Sequence, residues 1–148
     1  MVDLLVGLMV GLDNGRRSML LLDEEKIEKI QNDSIRNPVK NIAEFLQNHL
    51  GQKMTAYLCG LNDSKNVGQW ISGRVSPKDL STMKLRCAYY AVRMIIDAFD
   101  DETAKAWLFG TNTRLNDEAP AYILRYSKTV EDLRNIVPIA RTFATARE

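Results

Sequence analysis

The chain has 148 residues, 45% of them apolar and 26% charged, so it can form one core-bearing domain or two small helical modules, and wholesale disorder is excluded. Its net charge of +1 gives no overall sign of a polyanionic partner. The charge is unevenly distributed, however: residues 38–93 have eight basic and three acidic side chains, which suits phosphate, whereas residues 94–132 have four basic and eight acidic ones.

The first twelve residues, MVDLLVGLMVGL, are apolar but too short for a membrane-spanning helix, which needs about 20 residues. Asp3 stands where a signal peptide carries Lys or Arg, and Arg16 and Arg17 follow the apolar run. Three interpretations stay open: a translation start placed too early, with Met19 the true start; a hairpin that turns at residues 13–15; or an apolar patch buried by a partner subunit. We favour a weakly ordered or partner-dependent segment.

Helical signals dominate after residue 22, where no alternating strand pattern occurs. Asp23 suits the N-cap of a short charged helix. Asn37 as N-cap and Pro38 as first helical residue predict a second helix that Gly51 ends. Two short helices joined by a turn at Gly60 and one long helix follow. The predicted ranges of these helices are 23–31, 37–51, about 52–59, about 64–72 and about 80–99.

The second half of the chain continues the helical pattern. Asp100 predicts the N-cap of a helix over residues 101–109, and after a loop over residues 111–119 Pro120 opens a helix that reaches Tyr126. Thr129 with Asp132 approximates a capping box for a last helix, which Pro138 should kink or split by removing an internal hydrogen bond. The prediction is an all-α chain of about seven short to medium helices.

The residue types that catalysis or metal binding requires are poorly grouped. His49 is the only histidine and lies midway along an amphipathic helix, which favours a structural role over a general base. The adjacent acids at residues 100–101 and 117–118 suit helix starts better than Mg²⁺ binding. Cys59 and Cys87 lie among apolar residues, as buried free thiols do in a reducing cytoplasm. We therefore expect a non-enzyme without metal or cofactor.

The segment from Leu58 to Arg74 has the pattern of a helix-turn-helix, in which two short helices cross over a tight turn that contains Gly. Small and apolar residues predict the inner faces of both helices: Ala56, Leu58 and Leu61 on the first, and Val67, Trp70 and Ile71 on the second. The remaining side chains face outward and are of the types that read base edges or bind phosphate. The predicted DNA contacts are Lys53, Ser64, Lys65, Asn66, Gln69, Ser72, Arg74 and Lys78.

Two longer stretches resemble the Xre/MbcA/ParS antitoxins, in which an Xre-type helix-turn-helix precedes a small helical toxin-binding domain. These are WISGRVSP at residues 70–77 and AWLFGTNTRLNDEAPAYIL at residues 106–124, where a Trp is followed at fixed spacing by Asn, Leu and Pro. The resemblance covers residues 38–144 and is more specific in its second half. The turn after Gly60 is one residue longer than the commonest Xre pattern, which shifts the contact residues by one position.

The resemblance implies a cytoplasmic bacterial or phage regulator that binds its own promoter DNA as a homodimer and neutralises a RES-type toxin that consumes NAD. It divides the chain into an N-terminal extension (1–37), a helix-turn-helix domain with a long connecting helix (38–99) and a toxin-binding-like domain (100–148). The implied toxin contacts are Trp107, Asn112, Arg114, Leu115, Pro120, Arg141 and Phe143. Pro138 interrupts the last predicted helix of the toxin-binding-like domain. Two alternatives are a stand-alone repressor whose second domain only mediates oligomerisation, and an interaction module that has lost DNA affinity.

Overall fold

A computed structural model describes residues 22–145, and the interpretations of residues 1–21 lie outside that part of the chain. The described chain is all-α, as predicted. Its helices are α1 (Glu24–Arg36), α2 (Val39–Leu50), α3 (Gln52–Leu58), α4 (Lys65–Ile71), α5 (Asp79–Ala98), α6 (Asp101–Phe109), α7 (Pro120–Tyr126) and α8 (Ile136–Thr145). Two short 3-10 turns, Thr113–Leu115 and Val130–Leu133, precede α7 and α8.

Local capping determines several of the helix ends. A side-chain oxygen of Asp23 accepts a hydrogen bond from the backbone N–H of Lys26 at 2.9 Å, and one of Asp100 accepts from Thr103 at 2.8 Å. Each bond satisfies a donor that has no partner within its own helix. Both predicted N-caps are thereby confirmed, although α1 extends to Arg36, well beyond the predicted end at residue 31.

The predicted start of α2 was wrong by one residue. Pro38 occupies the N-cap position and the helix begins at Val39. Asn37 does not cap α2 with its side chain; its Nδ2 atom instead lies 3.4 Å from the Tyr89 hydroxyl on α5. A distant partner has here replaced the local role that sequence suggested for Asn37.

The expected kink at Pro138 was also wrong. Thr129 and Asp132 do form a capping box, but it belongs to the 3-10 turn Val130–Leu133, and α8 begins only at Ile136. Pro138 therefore lies in the first turn of α8, where a backbone N–H would have no helical partner in any case. The helix continues through Pro138 to Thr145.

The long helix α5 is the centre of the molecule and packs against α1, α2, α6 and α8. One continuous hydrophobic core extends from Leu22 to Ala144 and contains residues on both sides of the predicted domain boundary near residue 99. A polar contact also crosses that boundary, since His49 Nδ1 lies 2.8 Å from a carboxylate oxygen of Asp101. The helix-turn-helix segment is thus packed on the same core as the C-terminal helices.

Helix α1 joins the same core. Ile27 and Ile30 are buried, and Arg86 on α5 donates hydrogen bonds to the carbonyls of Ser34 and Asn37, both at 2.9 Å. These bonds satisfy carbonyls at the C-terminal end of α1 that have no partner in the helix. In the part of the chain that the structure describes, no helix combines the length and apolar character needed to cross a membrane.

Candidate nucleic-acid interface and partner groove

Helices α3 and α4 occupy the segment that the sequence predicts to be a helix-turn-helix, and both end in the same way. Gly60 and Gly73 have φ angles of +78° and +79°, a region that side-chain-bearing residues rarely adopt. After α3, Leu61 N–H donates to the Ala56 carbonyl, and after α4, Arg74 N–H donates to the Gln69 carbonyl. This is the Schellman arrangement, which ends a helix abruptly and redirects the chain. The predicted turns at the two glycines are confirmed.

The inner face of α4 is apolar, as the sequence pattern predicts. Val67 and Trp70 are buried in the described structure, and Ile71 is half-buried. On α3, Ala56 and Leu58 are buried as well. Since α2 packs against both α3 and α4, α4 is held on its inner side and presents its other side outward.

The eight side chains predicted to contact DNA lie on α3, on or next to α4, or in the segment that leads to α5, and they differ in exposure. Lys53, Lys65, Ser72, Arg74 and Lys78 are exposed, whereas Ser64, Asn66 and Gln69 are half-buried. Across the described residues, none of the four cations forms an ion pair. Unpaired surface cations are the groups that phosphate contacts require, because binding does not have to break an existing pair.

The hydroxyl of Ser72 has a local role at the end of α4. It donates to the Gln69 carbonyl at 3.1 Å and accepts from Arg74 N–H at 3.3 Å. Asp63 has the corresponding role at the other end, where its side-chain oxygen accepts from Lys65 N–H at 2.9 Å. The acid at this end of α4 is thus engaged in capping, and Ser72 stabilises the helix end whether or not DNA is bound.

Gln52 was missed by the sequence interpretation. It is the exposed first residue of α3, and a Cβ atom placed at Gly68, on α4, would lie 3.5 Å from its Nε2 atom. An amide side chain therefore stands next to the outward side of α4, where it can pair with a base edge or a phosphate. In the sequence, the glycine at position 68 indicates that another group can approach α4 closely. It does not indicate that this group is Gln52.

A second surface feature is a groove of about 460 Å³ between α6, the following loop and α8, called the partner groove below. Trp107 and Phe143 line it, with ring centroids 6.5 Å apart, and Asn112 and Arg114 line its polar side. The ring of Phe143 also lies beside that of Phe99, with ring centroids 5.5 Å apart. Both side chains are substantially exposed, Phe143 at 40% and Phe99 at 46%. Exposed aromatic rings beside a polar rim are typical of protein interaction sites.

The seven predicted toxin contacts do not all reach this groove. Leu115 and Pro120 are buried and support the loop from within the core. Arg141 lies on another side of α8, where it donates to the Tyr90 hydroxyl at 3.0 Å and lines a pocket with Glu24 and Glu28 of α1. The structure brings together only Trp107, Asn112, Arg114 and Phe143.

The titratable groups have structural roles in this fold. Asp100 caps α6, and hydrogen bonds from Thr103 hold its pKa below the ordinary value. Burial raises the pKa of the Cys59 thiol to about 12, although Lys84 nearby acts in the opposite direction, and burial raises that of Cys87 to about 12. Both thiols are free.

Among residues 22–145, no three His, Cys, Asp or Glu side chains are grouped so that they could hold a metal ion. The side chains at the two surfaces are mainly amides, cations and aromatic rings. Comparison with known proteins adds no identification, since no protein-family model, no curated protein and no solved structure matches the chain.

Proposed function

We propose that the protein is a sequence-specific DNA-binding regulator in which α4 enters the major groove. The observation that carries the proposal is the pairing of α3 and α4 over a glycine turn, with the inner face of α4 buried and its outer face polar. Lys65, Asn66 and Gln69 supply the side-chain types that pair with guanine and adenine. Lys53, Arg74 and Lys78 flank them with unpaired charge for the phosphates on either side.

Selection of duplexes from a random pool by the full chain tests this proposal. We expect one preferred sequence to be enriched, and Lys65→Ala combined with Gln69→Ala to weaken its binding, since a good base contact contributes about 1–3 kcal/mol of discrimination. Lys26→Ala, which removes an exposed lysine from α1, is the matched control and should bind like the wild type. Equal binding of every duplex in the pool would contradict sequence-specific reading.

We further propose that the partner groove binds a protein toxin, so that the regulator is the antitoxin of a toxin–antitoxin pair and no enzyme. Support comes from the exposed aromatic pair Phe99 and Phe143 beside Trp107, and from the resemblance of residues 106–124 to a toxin-binding domain. In the antitoxins that the chain resembles, the toxin is of the RES type. The acidic character of residues 94–132 suits a basic partner surface.

Co-expression with the products of the neighbouring reading frames tests the second proposal. We expect one product to be toxic alone, to be neutralised by this protein, and to escape when Phe143→Ser is introduced. Val130→Ser is the control, because Val130 is even more exposed, at 63%, and does not line the groove. If the groove instead mediates self-association, the Phe143→Ser variant should be monomeric, and its effect on the products of the neighbouring reading frames should be unchanged. That outcome favours the stand-alone repressor.

A further inference from the structure

Arg125 extends from α7, in the C-terminal part of the chain, to the turn between α3 and α4. Its Nη1 atom donates to the Tyr57 carbonyl at 3.0 Å and to the Leu61 carbonyl at 3.3 Å, and its Nη2 atom donates to Asn62 Oδ1 at 3.1 Å. One guanidinium therefore binds three oxygen atoms on a segment more than 60 residues away in sequence. These acceptors lie before and after Gly60, so Arg125 holds both sides of the turn.

The backbone of Arg125 is also hydrogen-bonded next to the turn. Its carbonyl oxygen accepts a hydrogen bond from Lys84 Nζ at 2.6 Å, and Lys84 is 4% exposed. A Cβ atom at Gly60 would lie only 3.3 Å from that carbonyl oxygen and 3.4 Å from Lys84 Nζ. The turn, α5 and α7 thus meet in close contact, and a Cβ atom at Gly60 would fit only if the Arg125 carbonyl moved by a few tenths of an ångström.

The guanidinium is committed to the protein rather than offered to solvent. Its central carbon lies 4.6 Å from the ring centroid of Tyr57 and 5.7 Å from that of Tyr126, which adds cation–π attraction to the hydrogen bonds. Arg125 does line the open pocket that contains Lys53 and Ser64, next to the candidate DNA surface. A phosphate contact is thus the competing role, but it would require Arg125 to share or give up donors that the turn already uses.

We propose that Arg125 is a positioning residue for DNA reading: by bonding the turn to α7 it fixes the direction in which α4 leaves the turn. The inference rests on the proposed DNA-binding function and extends it, because it makes the C-terminal part of the chain a requirement for reading. A rigid fork that binds several acceptors at fixed angles suits this role, whereas a lysine, with one point charge, does not.

The test uses the full chain and the duplex selected by the wild type, with Arg125→Gln, Arg125→Lys and the control Arg134→Gln. Arg134 is an exposed arginine whose one ion pair among residues 22–145 is with Glu131, three residues earlier. We expect both Arg125 variants to bind the duplex at least about tenfold more weakly, because hydrogen bonds from a charged donor are lost and α4 is no longer held. The dependence of affinity on salt should keep its slope, since no phosphate contact is removed.

Amide hydrogen exchange separates positioning from general destabilisation. We expect faster exchange at residues 59–66 in Arg125→Gln, with unchanged exchange in the buried middle of α5. Asn62→Ala, which removes a single acceptor from an exposed side chain, should weaken binding in the same direction and add little when combined with Arg125→Gln.

Three results would overturn the inference: unchanged affinity in both Arg125 variants, full recovery by lysine, or a salt slope reduced by about one, which is the signature of a lost phosphate contact. A wild-type chain that selects no duplex would overturn the proposed function as well. The two failures are distinguishable, because the second is seen before any variant is made.

Discussion

Gly60 is the residue at which backbone conformation and tertiary contact coincide. Its φ of +78° is almost the same as the +79° of Gly73, but only Gly60 has neighbouring atoms within 4 Å of where a Cβ would be. The two glycines are therefore a matched pair: both need a left-handed conformation, and one of them also needs space.

We expect Gly60→Ala to destabilise the protein by more than Gly73→Ala. The left-handed conformation costs an alanine about 1–2 kcal/mol at either position, and at Gly60 the contact with the Arg125 carbonyl oxygen adds to it. Urea unfolding of both variants measures the difference. Equal losses would mean that the carbonyl oxygen moves aside without cost.

Asp132 gives a prediction about pH at the residue scale. Its side-chain oxygen accepts from the backbone N–H groups of Lys128 and Thr129 at 2.9 and 3.2 Å, and these bonds hold its pKa below the ordinary value. A lowered pKa in the folded state stabilises the fold above the unfolded pKa, and this stability is lost as pH falls through the folded value.

We expect Asp132→Asn to be less stable than the wild type near pH 6, and the gap between the two proteins to shrink as pH falls below the ordinary Asp pKa of about 3.9 and through the lower pKa of the folded state. Denaturant unfolding at a series of pH values measures this. A gap between the two proteins that stays constant down to pH 3 would show that the charge of Asp132 contributes nothing to the cap.

At the scale of elements, substitutions in α1 test how firmly this helix belongs to the hydrophobic core. Ile30 and Ile35 lie on the same helix, but Ile30 is 1% exposed and Ile35 is 63% exposed. We expect Ile30→Ala to destabilise the full chain by about 2–5 kcal/mol and Ile35→Ala to have little effect. The measurement is the free energy of unfolding; similar values for both variants would indicate that α1 is only loosely attached.

The helices whose ends depend on neighbouring residues could be predicted from sequence. Asp23 and Asp100 form local capping bonds, and Gly60 and Gly73 adopt the conformation that ends a helix, so their signals lie within a few residues of the feature. Asn37 differs, because its observed partner, Tyr89, is 52 residues away. Local signals predict local structure, and they do not reveal a contact between residues so far apart.

Pro138 is a second case in which a local signal was not enough to predict the structure. Its effect depends on where α8 begins, and that start is set by the preceding 3-10 turn and by packing on α5. The candidate site also contains features that the sequence predicts and features that it does not. The outward face of α4 follows from its apolar period, whereas Gln52 and Arg125 are placed by contacts between helices that no spacing in the sequence encodes.

At the scale of the whole molecule, the continuous core predicts that the two parts of the chain unfold together. Trp70 lies in α4 and Trp107 in α6, and both are buried, so each reports on one part. We expect the fluorescence of Trp70→Phe and of Trp107→Phe to change at the same urea concentration as the loss of helix in the same variant.

Two separate midpoints in either variant would contradict this and would indicate independent domains. A shared midpoint has a consequence for function. If the surface proposed to read DNA and the groove proposed to bind a partner belong to one cooperative unit, ligands at both sites should stabilise the same folded state. Each proposed ligand should then raise the melting temperature of the whole chain rather than of one part.

The two free thiols differ in exposure: Cys59 is buried, whereas Cys87 is half-buried. Since Cys59 is covered and burial raises the pKa of its thiol, an alkylating reagent attacks it only in the moments when the surrounding structure is open. Cys59 adjoins the turn that leads to α4, and Cys87 lies in the central helix. The rate at which Cys59 is consumed thus records how often its surroundings open, and comparing it with the rate of global unfolding tells whether the turn opens alone or only when the entire chain does.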